Sequence, residues 1–312
     1  MAKVLITGCF GFIGSKLFDK LLNDGHDVYG IGRSPSCSDG KQSQTSTRKK
    51  NIEIKLTELE KLSLDDTTPY DYVFHFAGGA SVAKAEENNY SSFNNTVSST
   101  LELLEWSRVR HPNATIIIAS SAAVYGANED NSLLVEESVL SPISNYGRHK
   151  IIVEDLALTY NQRFNMDVRI ARLFSVYGPG LKKQFLWDFC NRLSNANGKC
   201  DIEVFGTGNE IRDWINIEDI TSIISAFAFS HSSERIINVG TGKGTTVKDI
   251  AQTIIDAMAI DARLHFNGQV RKGDPESLVA NIHKMHCLGF SANVDVNRGI
   301  QEYVRWYLDS QR

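Results

Sequence analysis

The chain has 312 residues, 42% hydrophobic and 22% charged, a balance typical of a globular protein with one or two domains. A formal net charge of −4 argues against nucleic acid and anionic membranes as partners. The five cysteines are scattered without a CxxC pair, which favours reduced thiols over a disulfide framework. No apolar stretch is long enough to span a bilayer, so we expect a cytoplasmic protein.

Short apolar runs alternate with helix-period segments along the first half of the chain. The predicted strands are residues 4–6, 28–31, 52–56, 72–76, 116–119 and 168–173. Strands that are apolar throughout and separated by helices predict a parallel sheet covered on both faces. After about residue 175 this rhythm loosens and smaller elements follow.

A glycine-rich loop, TGCFGFIG at 7–14, follows the first predicted strand and opens the first predicted helix. Glycines at 8, 11 and 14 allow a tight turn, a close backbone approach and tight packing of the helix on the strand. The helix N-terminus offers unpaired N–H groups to a pyrophosphate. In this context of strand before and helix after, the pattern predicts dinucleotide binding.

The end of the second predicted strand indicates which dinucleotide is bound. Gly32 stands where NAD-binding units carry an acidic residue for the ribose hydroxyls, and Arg33 and Ser34 follow it. A missing carboxylate and an adjacent guanidinium favour a 2′-phosphate, so we predict NADP, with NAD as the alternative. The polar segment 34–50 is interpreted as a surface loop. Its basic residues, Lys41 and 48–50, are candidates to assist in binding the 2′-phosphate.

A second constellation combines the strand end SSAAVYG at 120–126 with Tyr146 and Lys150, which lie one turn apart on a predicted helix. A free tyrosine titrates near pKa ~10, too high for a proton carrier at neutral pH. A lysine ammonium one turn away, with the positive charge of an oxidised nicotinamide, stabilises the phenolate. Ser121 is placed to hydrogen-bond the same substrate oxygen.

These motifs resemble those of the extended short-chain dehydrogenase/reductase family, the NAD(P)-dependent epimerases and dehydratases of nucleotide sugars. HFAGGASV, NYGRHK, LFSVYGPG, FGTGNEIRDWINIEDI, NVGTG and RKGDPESLVANIHKMHCLGF continue the resemblance in the family's order. It implies an α/β fold, a Rossmann-type doubly wound parallel sheet with a smaller α/β C-terminal substrate domain. The dinucleotide domain would comprise 1–173 and 211–240, and the substrate domain 174–210 and 241–312.

The resemblance also implies the roles of particular residues. Ser121, Tyr146 and Lys150 form the catalytic triad, and no metal site is predicted. The predicted cofactor-binding residues are Gly8, Phe10, Gly11, Phe12, Ile13, Gly14, Arg33, Ser34, Ala77, Gly78, Ser120, Tyr146 and Lys150. The predicted substrate-binding residues are Ser121, Ser175, Arg212, Arg271 and Asp274. The predicted ligand is a nucleotide-diphosphate sugar, with neither nucleic acid nor a membrane as a partner. The resemblance also implies a homodimer, formed through the helix of Tyr146 and the helix before it.

The two alanines after the serines narrow the reaction. Family members that dehydrate a hexose carry an acid after the catalytic Ser or Thr, whereas Ala122 and Ala123 supply none. We therefore predict NADP-dependent reduction of a nucleotide-linked 4-keto(-6-deoxy) sugar. A nucleotide-sugar C4 epimerase is the alternative enzyme, and a non-catalytic NAD(P)-binding sensor or scaffold is the alternative of another class.

Overall fold

The structure is a computed structural model that describes residues 1–33, 48–65, 68–79, 81–128, 131–196, 200–269 and 275–312. Its strands are β1 (Lys3–Thr7), β2 (Asp27–Gly32), β3 (Lys49–Asn51), β4 (Tyr72–His75), β5 (Thr115–Ser121), β6 (Asp167–Leu173), β7 (Ser175–Tyr177), β8 (Cys200–Val204), β9 (Ile211–Asn216), β10 (Ile236–Val239), β11 (Gly244–Thr246), β12 (Ala262–Phe266) and β13 (Ser277–Leu278).

Its helices are α1 (Phe12–Asn23), α2 (Leu56–Asp65), α3 (Val82–Glu87), α4 (Asn89–Phe93), α5 (Ser99–Arg110), α6 (Asn145–Phe164), α7 (Gln184–Ser194), α8 (Ile217–Phe229), α9 (Val247–Met258), α10 (His283–Cys287) and α11 (Val296–Ser310). A π-helical turn, Asn94–Ser98, joins α4 to α5, and a 3₁₀ turn, Ala122–Val124, follows β5.

Packing divides the chain into two compact units. Unit 1 consists of Met1–Val124, Ser144–Arg172 and Ile224–Ile237, and unit 2 of Tyr125–Ile143, Leu173–Ile223 and Asn238–Arg312. These bounds describe packing alone, so the functional division predicted from the sequence stays a prediction. Within the residues that the structure describes, no helix is both long and apolar enough to cross a membrane.

The central sheet has seven parallel strands in the order β10-β6-β5-β4-β1-β2-β3. This is the predicted Rossmann-type sheet, and its strand order reverses direction between β1 and β4. Val4 of β1 pairs with Val28 of β2 on one side and with Tyr72 of β4 on the other. The carboxyl ends of β1 and β4 therefore meet at the point where an α/β sheet of this kind forms its ligand crevice.

Both faces of this sheet are buried, which explains why its strands are apolar throughout. On one face, buried side chains of α2, α5 and α6, such as Leu59, Trp106 and Val153, pack against Leu5 and Ile116. Side chains alternate along a strand, so Val4 and Ile6 point to the opposite face. They are also fully buried, as are Leu17 and Leu21 of the adjacent helix α1.

The predicted third strand, 52–56, is wrong. The edge position beside β2 is taken by β3, where Lys49, Lys50 and Asn51 pair with Gly30, Ile31 and Gly32. Ile54, which suggested a strand, is instead buried in the core between the sheet and α2, and α2 begins at Leu56. A polar edge strand of three residues carries no apolar pattern, so the sequence placed the strand on the next apolar run.

Unit 2 contains a sheet in the order β11-β9-β13, with β7 also paired to β9, and a separate parallel pair of β8 and β12. Asp213 of β9 is fully buried, and its carboxylate accepts hydrogen bonds from the backbone N–H groups of Thr241, Gly242 and Ala280. Burial raises the pKa of the Asp213 carboxyl, and these donors oppose the rise. The turn after β10 is thereby fixed to β9, beside Arg212.

Candidate active site

The glycine loop after β1 is built by close backbone approaches. Gly8 has a φ of +72°, and a Cβ placed on it would lie 2.7 Å from the backbone of Phe76 and Ala77 after β4. A Cβ on Gly14 would lie 2.3 Å from the carbonyl oxygen of Gly8, so only glycine allows α1 to start this close to the strand. Both residues are therefore fixed by packing within the protein.

Gly11 differs from these two glycines because the protein itself would accept a side chain there. Its φ is −80°, and an added Cβ would approach only the Gly8 carbonyl oxygen, at 3.1 Å. Within the described residues, no side chain caps the N-terminus of α1 and its first turn holds no acidic residue. The N–H groups of this turn and the positive end of the helix dipole fit a pyrophosphate, and Gly11 leaves room for it.

A buried histidine at the end of β4 ties the glycine loop to α5. Ala77 N–H donates to Thr7 Oγ1 over 3.2 Å, and Thr7 Oγ1 lies 2.8 Å from His75 Nδ1. His75 Nε2 lies 3.0 Å from Thr100 Oγ1, which donates its own proton to Thr96 O. This pattern requires a proton on Nε2, because Thr100 has given its own proton to Thr96. Burial keeps the imidazole neutral, so Nδ1 carries no proton and accepts from Thr7.

The helix that carries Tyr146 and Lys150, α6, begins at a well-formed cap. The Ser144 side chain accepts a hydrogen bond from Gly147 N–H, and Glu86 of α3 accepts from the backbone and the side chain of Asn145. Tyr146 is the second residue of α6 and so lies in its first turn. The positive end of the helix dipole there favours a phenolate over a neutral phenol.

Ser121, Tyr146 and Lys150 are brought together as the sequence predicts. Ser121 Oγ accepts from Ala123 N–H over 3.2 Å, which leaves its own proton to be donated elsewhere. Burial raises the pKa of the Tyr146 hydroxyl, and the hydrogen bond with Ser121 opposes this rise. Lys150 Nζ donates to the Ala119 carbonyl over 2.8 Å and lies 5.9 Å from the centroid of the Tyr146 ring.

The ammonium of Lys150 is held out of water, and this lowers its pKa to about 8, against the pull of the Glu154 carboxylate. Its positive charge also acts on His75. Burial and the Lys150 charge together lower the pKa of His75 to about 3. At neutral pH the site therefore contains a charged lysine beside a neutral histidine.

A buried ion pair lies one helical turn beyond Lys150. Arg172 of β6 donates to Glu154 of α6 through Nη2 over 2.7 Å and through Nε over 3.0 Å, and both side chains are 3% exposed. Ser120 of β5, predicted to support the site, donates its hydroxyl proton to the same carboxylate. Glu154 thus joins the strand that carries the two serines to the helix that carries Tyr146 and Lys150.

Three polar residues of this unit were missed from the sequence: His75, Glu154 and Arg172. A signal existed for two of them. Glu154 follows Lys150 at the same four-residue spacing that separates Lys150 from Tyr146, so all three share a helix face. Arg172 is a charge within the apolar run VRIARLF, where a buried arginine needs a partner.

The end of β2 carries Gly32 and Arg33, the two residues on which the NADP prediction depends. Gly32 packs against the loop, because a Cβ there would lie 3.3 Å from Gly8 Cα, while Arg33 is exposed. A carboxylate that the sequence analysis missed, Glu53, lies two residues after β3. Its pKa is lowered by an ion pair with Lys55 at 2.6 Å and, less strongly, by the charge of Arg33. Glu53 is thus balanced chiefly by Lys55, and Arg33 acts on it only weakly.

Two residues predicted to bind substrate belong to unit 2. Ser175 of β7 pairs with Trp214 of β9, and Arg212 lies two residues before Trp214 on the same face of that strand. Arg212 Nη1 donates to the carbonyl oxygens of Ile211 and Glu276. Its guanidinium is thus held by the backbone.

Some predicted residues lie beside these segments and some lie outside the described chain. Phe10, Phe12 and Ile13, predicted to bind the cofactor, lie within the glycine loop. Ala77 and Gly78 follow the end of β4. The predicted residues outside the described ranges are Ser34, Lys41, Arg271 and Asp274.

A Rossmann-type sheet, a glycine loop fitted to a pyrophosphate and a Ser-Tyr-Lys site define an NAD(P)-dependent enzyme of the extended short-chain dehydrogenase/reductase class. The chain belongs to the NAD dependent epimerase/dehydratase family, whose pattern it matches over residues 4–240. The sequence prediction of family and fold is confirmed.

Named relatives extend this comparison over the whole chain. A putative UDP-glucose 4-epimerase of Methanocaldococcus jannaschii is 27% identical over 99% of both chains. UDP-glucuronate 4-epimerase 2 of Arabidopsis thaliana is 27% identical over 98% of this chain and 75% of its own. The crystal structure of UDP-glucuronic acid 4-epimerase from Bacillus cereus, in complex with UDP-glucuronic acid and NAD, has a TM-score of 0.86 at 26% identity over 99% of both chains.

The glycine loop yields a test that separates packing from binding. Gly14→Ala should destabilise the fold by about 1–3 kcal/mol, because its Cβ collides with the Gly8 carbonyl. Gly11→Ala should unfold within about 1 kcal/mol of the wild type but bind the dinucleotide at least about tenfold more weakly. Chemical denaturation and calorimetric titration of NAD measure the two effects. A Gly11→Ala enzyme with unchanged affinity contradicts the placement of the pyrophosphate.

The neutral state of His75 predicts a pH dependence of stability. Its folded pKa of about 3 lies below the ordinary value of 6.5, so its contribution is complete above pH 6.5 and is lost as the pH falls toward 3. We expect His75→Gln to flatten the fall in unfolding free energy across this window by up to about 1.4 kcal/mol per pH unit. Urea unfolding between pH 4 and 7 measures it, with the exposed His231→Gln as control. Equal slopes for all three proteins would disprove a buried neutral His75.

Proposed function

We propose that this enzyme is an NAD-dependent C4 epimerase of a nucleotide-diphosphate hexose or hexuronate. The observation that carries the proposal is the Ser121–Tyr146–Lys150 site followed by two alanines. It offers one hydroxyl proton carrier and, on the strand end, no acid beside it. Oxidation of a C4 hydroxyl and reduction of the resulting ketone need only that proton and a hydride.

The roles of the chain's own residues follow from their positions. Tyr146, as a phenolate, accepts the proton of the C4 hydroxyl and later returns it to the ketone oxygen. Lys150 and the N-terminus of α6 stabilise the phenolate, and Ser121 donates a hydrogen bond to the reacting oxygen. NAD, which the glycine loop of Gly8, Gly11 and Gly14 would hold, would supply the hydride chemistry at C4.

The relatives favour this epimerase alternative over the NADP-dependent reduction that the sequence analysis preferred. Several are described as UDP-sugar 4-epimerases, and the Bacillus cereus enzyme holds UDP-glucuronic acid and NAD. The reductase hypothesis depended on Gly32 and Arg33 as a 2′-phosphate site. Arg33 is exposed, and this two-residue signal carries less weight than the NAD held by the Bacillus cereus enzyme. We therefore favour NAD.

The substrate side is assigned by the same reasoning. Arginine suits a diphosphate because its fork of N–H groups matches phosphate oxygens. Arg212, held by two backbone carbonyls, keeps this role in the proposal, together with Arg271 and Asp274, and Ser175 is proposed for the sugar side. UDP-glucose and UDP-glucuronate are the first substrates to try, since the relatives are described by them.

The proposal predicts epimerisation without net redox change. Purified enzyme incubated with UDP-glucose or UDP-glucuronate should form the C4 epimer, detected by proton NMR, with no net change in absorbance at 340 nm. Cofactor released by denaturation should have the mass of NAD. Loss of one NADPH per product from a nucleotide-linked 4-keto-6-deoxy sugar would instead establish the reductase. A dehydrated 4-keto product would contradict both.

Matched tyrosine variants test the assignment of the proton carrier. Tyr146→Phe should lower kcat by about 10²–10⁴-fold while the protein still binds the nucleotide sugar. Tyr90→Phe, which removes a hydroxyl from a tyrosine that is 79% exposed, should keep the wild-type kcat. Full activity of Tyr146→Phe would show that Tyr146 is not the proton carrier. If the wild type binds NAD and UDP-sugar but does not turn the sugar over, the result would favour the non-catalytic sensor or scaffold.

We also propose a homodimer through α5 and α6. The predicted apolar stripe divides in the structure: Val97 and Leu104 are buried in the core, whereas Leu101 and Ile152 are 43% and 37% exposed. Leu156 and Leu158, also predicted, pack partly against the core. Further exposed apolar side chains lie on α4, α5 and α6, namely Tyr90, Phe93, Val109 and Phe164. An apolar surface of this extent favours association.

Charge placed on this surface should dissociate the dimer. Leu101→Glu combined with Ile152→Glu should convert a dimer at micromolar concentration into a monomer, because both side chains would bury a carboxylate without a partner. Light scattering after size exclusion gives the mass. Val139→Glu, at an 84% exposed position in unit 2, should remain dimeric. A monomeric wild type would refute the proposal.

A further inference from the structure

We propose that Glu154, tethered by Arg172, is a positioning residue that keeps the Lys150 ammonium charged and sets the alkaline limit of the reaction. The inference rests on the proposed function, since it assumes that Lys150 acts on Tyr146. Nothing in the role of the Ser-Tyr-Lys triad itself requires a carboxylate at this place.

The geometry gives Glu154 a defined relation to the triad. Tyr146, Lys150 and Glu154 follow one another at four-residue intervals on one face of α6. The Glu154 carboxylate is fixed from three directions, by its own helix, by the two-pronged contact of Arg172 and by the Ser120 hydroxyl. These contacts hold the carboxylate in one place, one helical turn from Lys150.

The ammonium of Lys150 meets few other charges that could hold its proton. The groups around it are the Ala119 carbonyl on β5, the Tyr146 ring on its own helix, neutral His75 on β4 and Glu154. Arg172 on β6 binds the far side of Glu154. Glu86 of α3 binds Asn145 at the start of the helix and acts on His149 rather than on Lys150.

The balance of these groups explains the charge state. Burial pushes the pKa of Lys150 down to about 8, and Glu154 is the group that opposes this fall. Without Glu154, the pKa of Lys150 would fall further, and the phenolate of Tyr146 would have less counter-charge. Arg172 moderates the effect, because a carboxylate paired to a guanidinium pulls less strongly on a second cation.

Stability gives little reason for a pair of this kind. Removing two charges from water costs about as much as their attraction returns, so a well-packed apolar pair serves a core as well or better. Ser120 also lies beside Ser121, so the carboxylate orders the strand end as well as the lysine. We infer that the pair is kept for its effect on the site.

Single variants should move the alkaline limb of the kcat profile in opposite directions. Glu154→Gln should shift it to lower pH by about one unit, a tenfold loss of charged lysine at fixed pH. Arg172→Met, which frees the carboxylate to act on Lys150 alone, should shift it upward. Glu154→Asp should restore the wild-type limb. The double variant E154Q/R172M, which buries no unpaired charge, should fold and still show a downward shift.

A second measurement is independent of any sugar. The Cε signal of Lys150 in ¹³C-lysine-labelled enzyme, assigned by its loss in Lys150→Met, reports the protonation of this side chain directly. Its titration should follow the same order across the variants, while Asp155→Asn, which removes an exposed charge next to Glu154, should leave it unchanged. An unaltered Lys150 titration in Glu154→Gln or in the double variant overturns the inference. If the titration moves but no UDP-sugar is epimerised, the proposed function fails and the electrostatic role of Glu154 stands.

Discussion

The site depends on one lysine ammonium that is held out of water at the end of β5. A buried cation needs an acceptor and a nearby opposite charge, and Lys150 has the carbonyl of Ala119 and the carboxylate of Glu154. Its neighbours are arranged around this charge. His75 stays neutral partly because Lys150 is charged, and its fixed tautomer then joins Thr7, at the start of the glycine loop, to Thr100 of α5.

The glycine loop and the Ser121–Tyr146–Lys150 site are therefore parts of one polar framework inside an apolar unit. β1, β4 and β5 end together at one edge of the sheet, where Gly8, His75 and Ser121 lie at or just past the three strand ends. The close approach of the Gly8 backbone to Ala77 brings the loop against the β4 end, and no side chain larger than hydrogen fits there. The end of β4 is therefore constrained twice: sterically by the Gly8 backbone against Ala77, and electrostatically by the Lys150 charge on His75.

Much of this arrangement was predictable from the sequence because it is local. The glycine spacing, the strand-end serines and the Tyr146–Lys150 interval each depend on a short segment with a known geometry. What failed depends on pairing between distant segments. The third strand was misplaced because Lys49–Asn51 carries no apolar pattern and is defined only by its partner β2. The cofactor preference was drawn from Gly32 and Arg33 alone. Glu154 and Arg172 have a spacing signal, but only the fold shows that they form a pair.

The alanines at 122 and 123 are explained by the same electrostatics. A carboxylate next to the phenolate of Tyr146 would raise the pKa of Tyr146 by like-charge repulsion and would compete for Lys150. The carboxylate of Glu154 does not have this effect, for two reasons. It is paired with Arg172, and it lies one turn beyond Lys150 along α6, on the side away from Tyr146. The backbone N–H of Ala123 in the 3₁₀ turn also orients the Ser121 hydroxyl. The proposed reaction, which removes and returns a single proton, is served by this separation, because it needs only Tyr146 as proton carrier and Lys150 as its counter-charge.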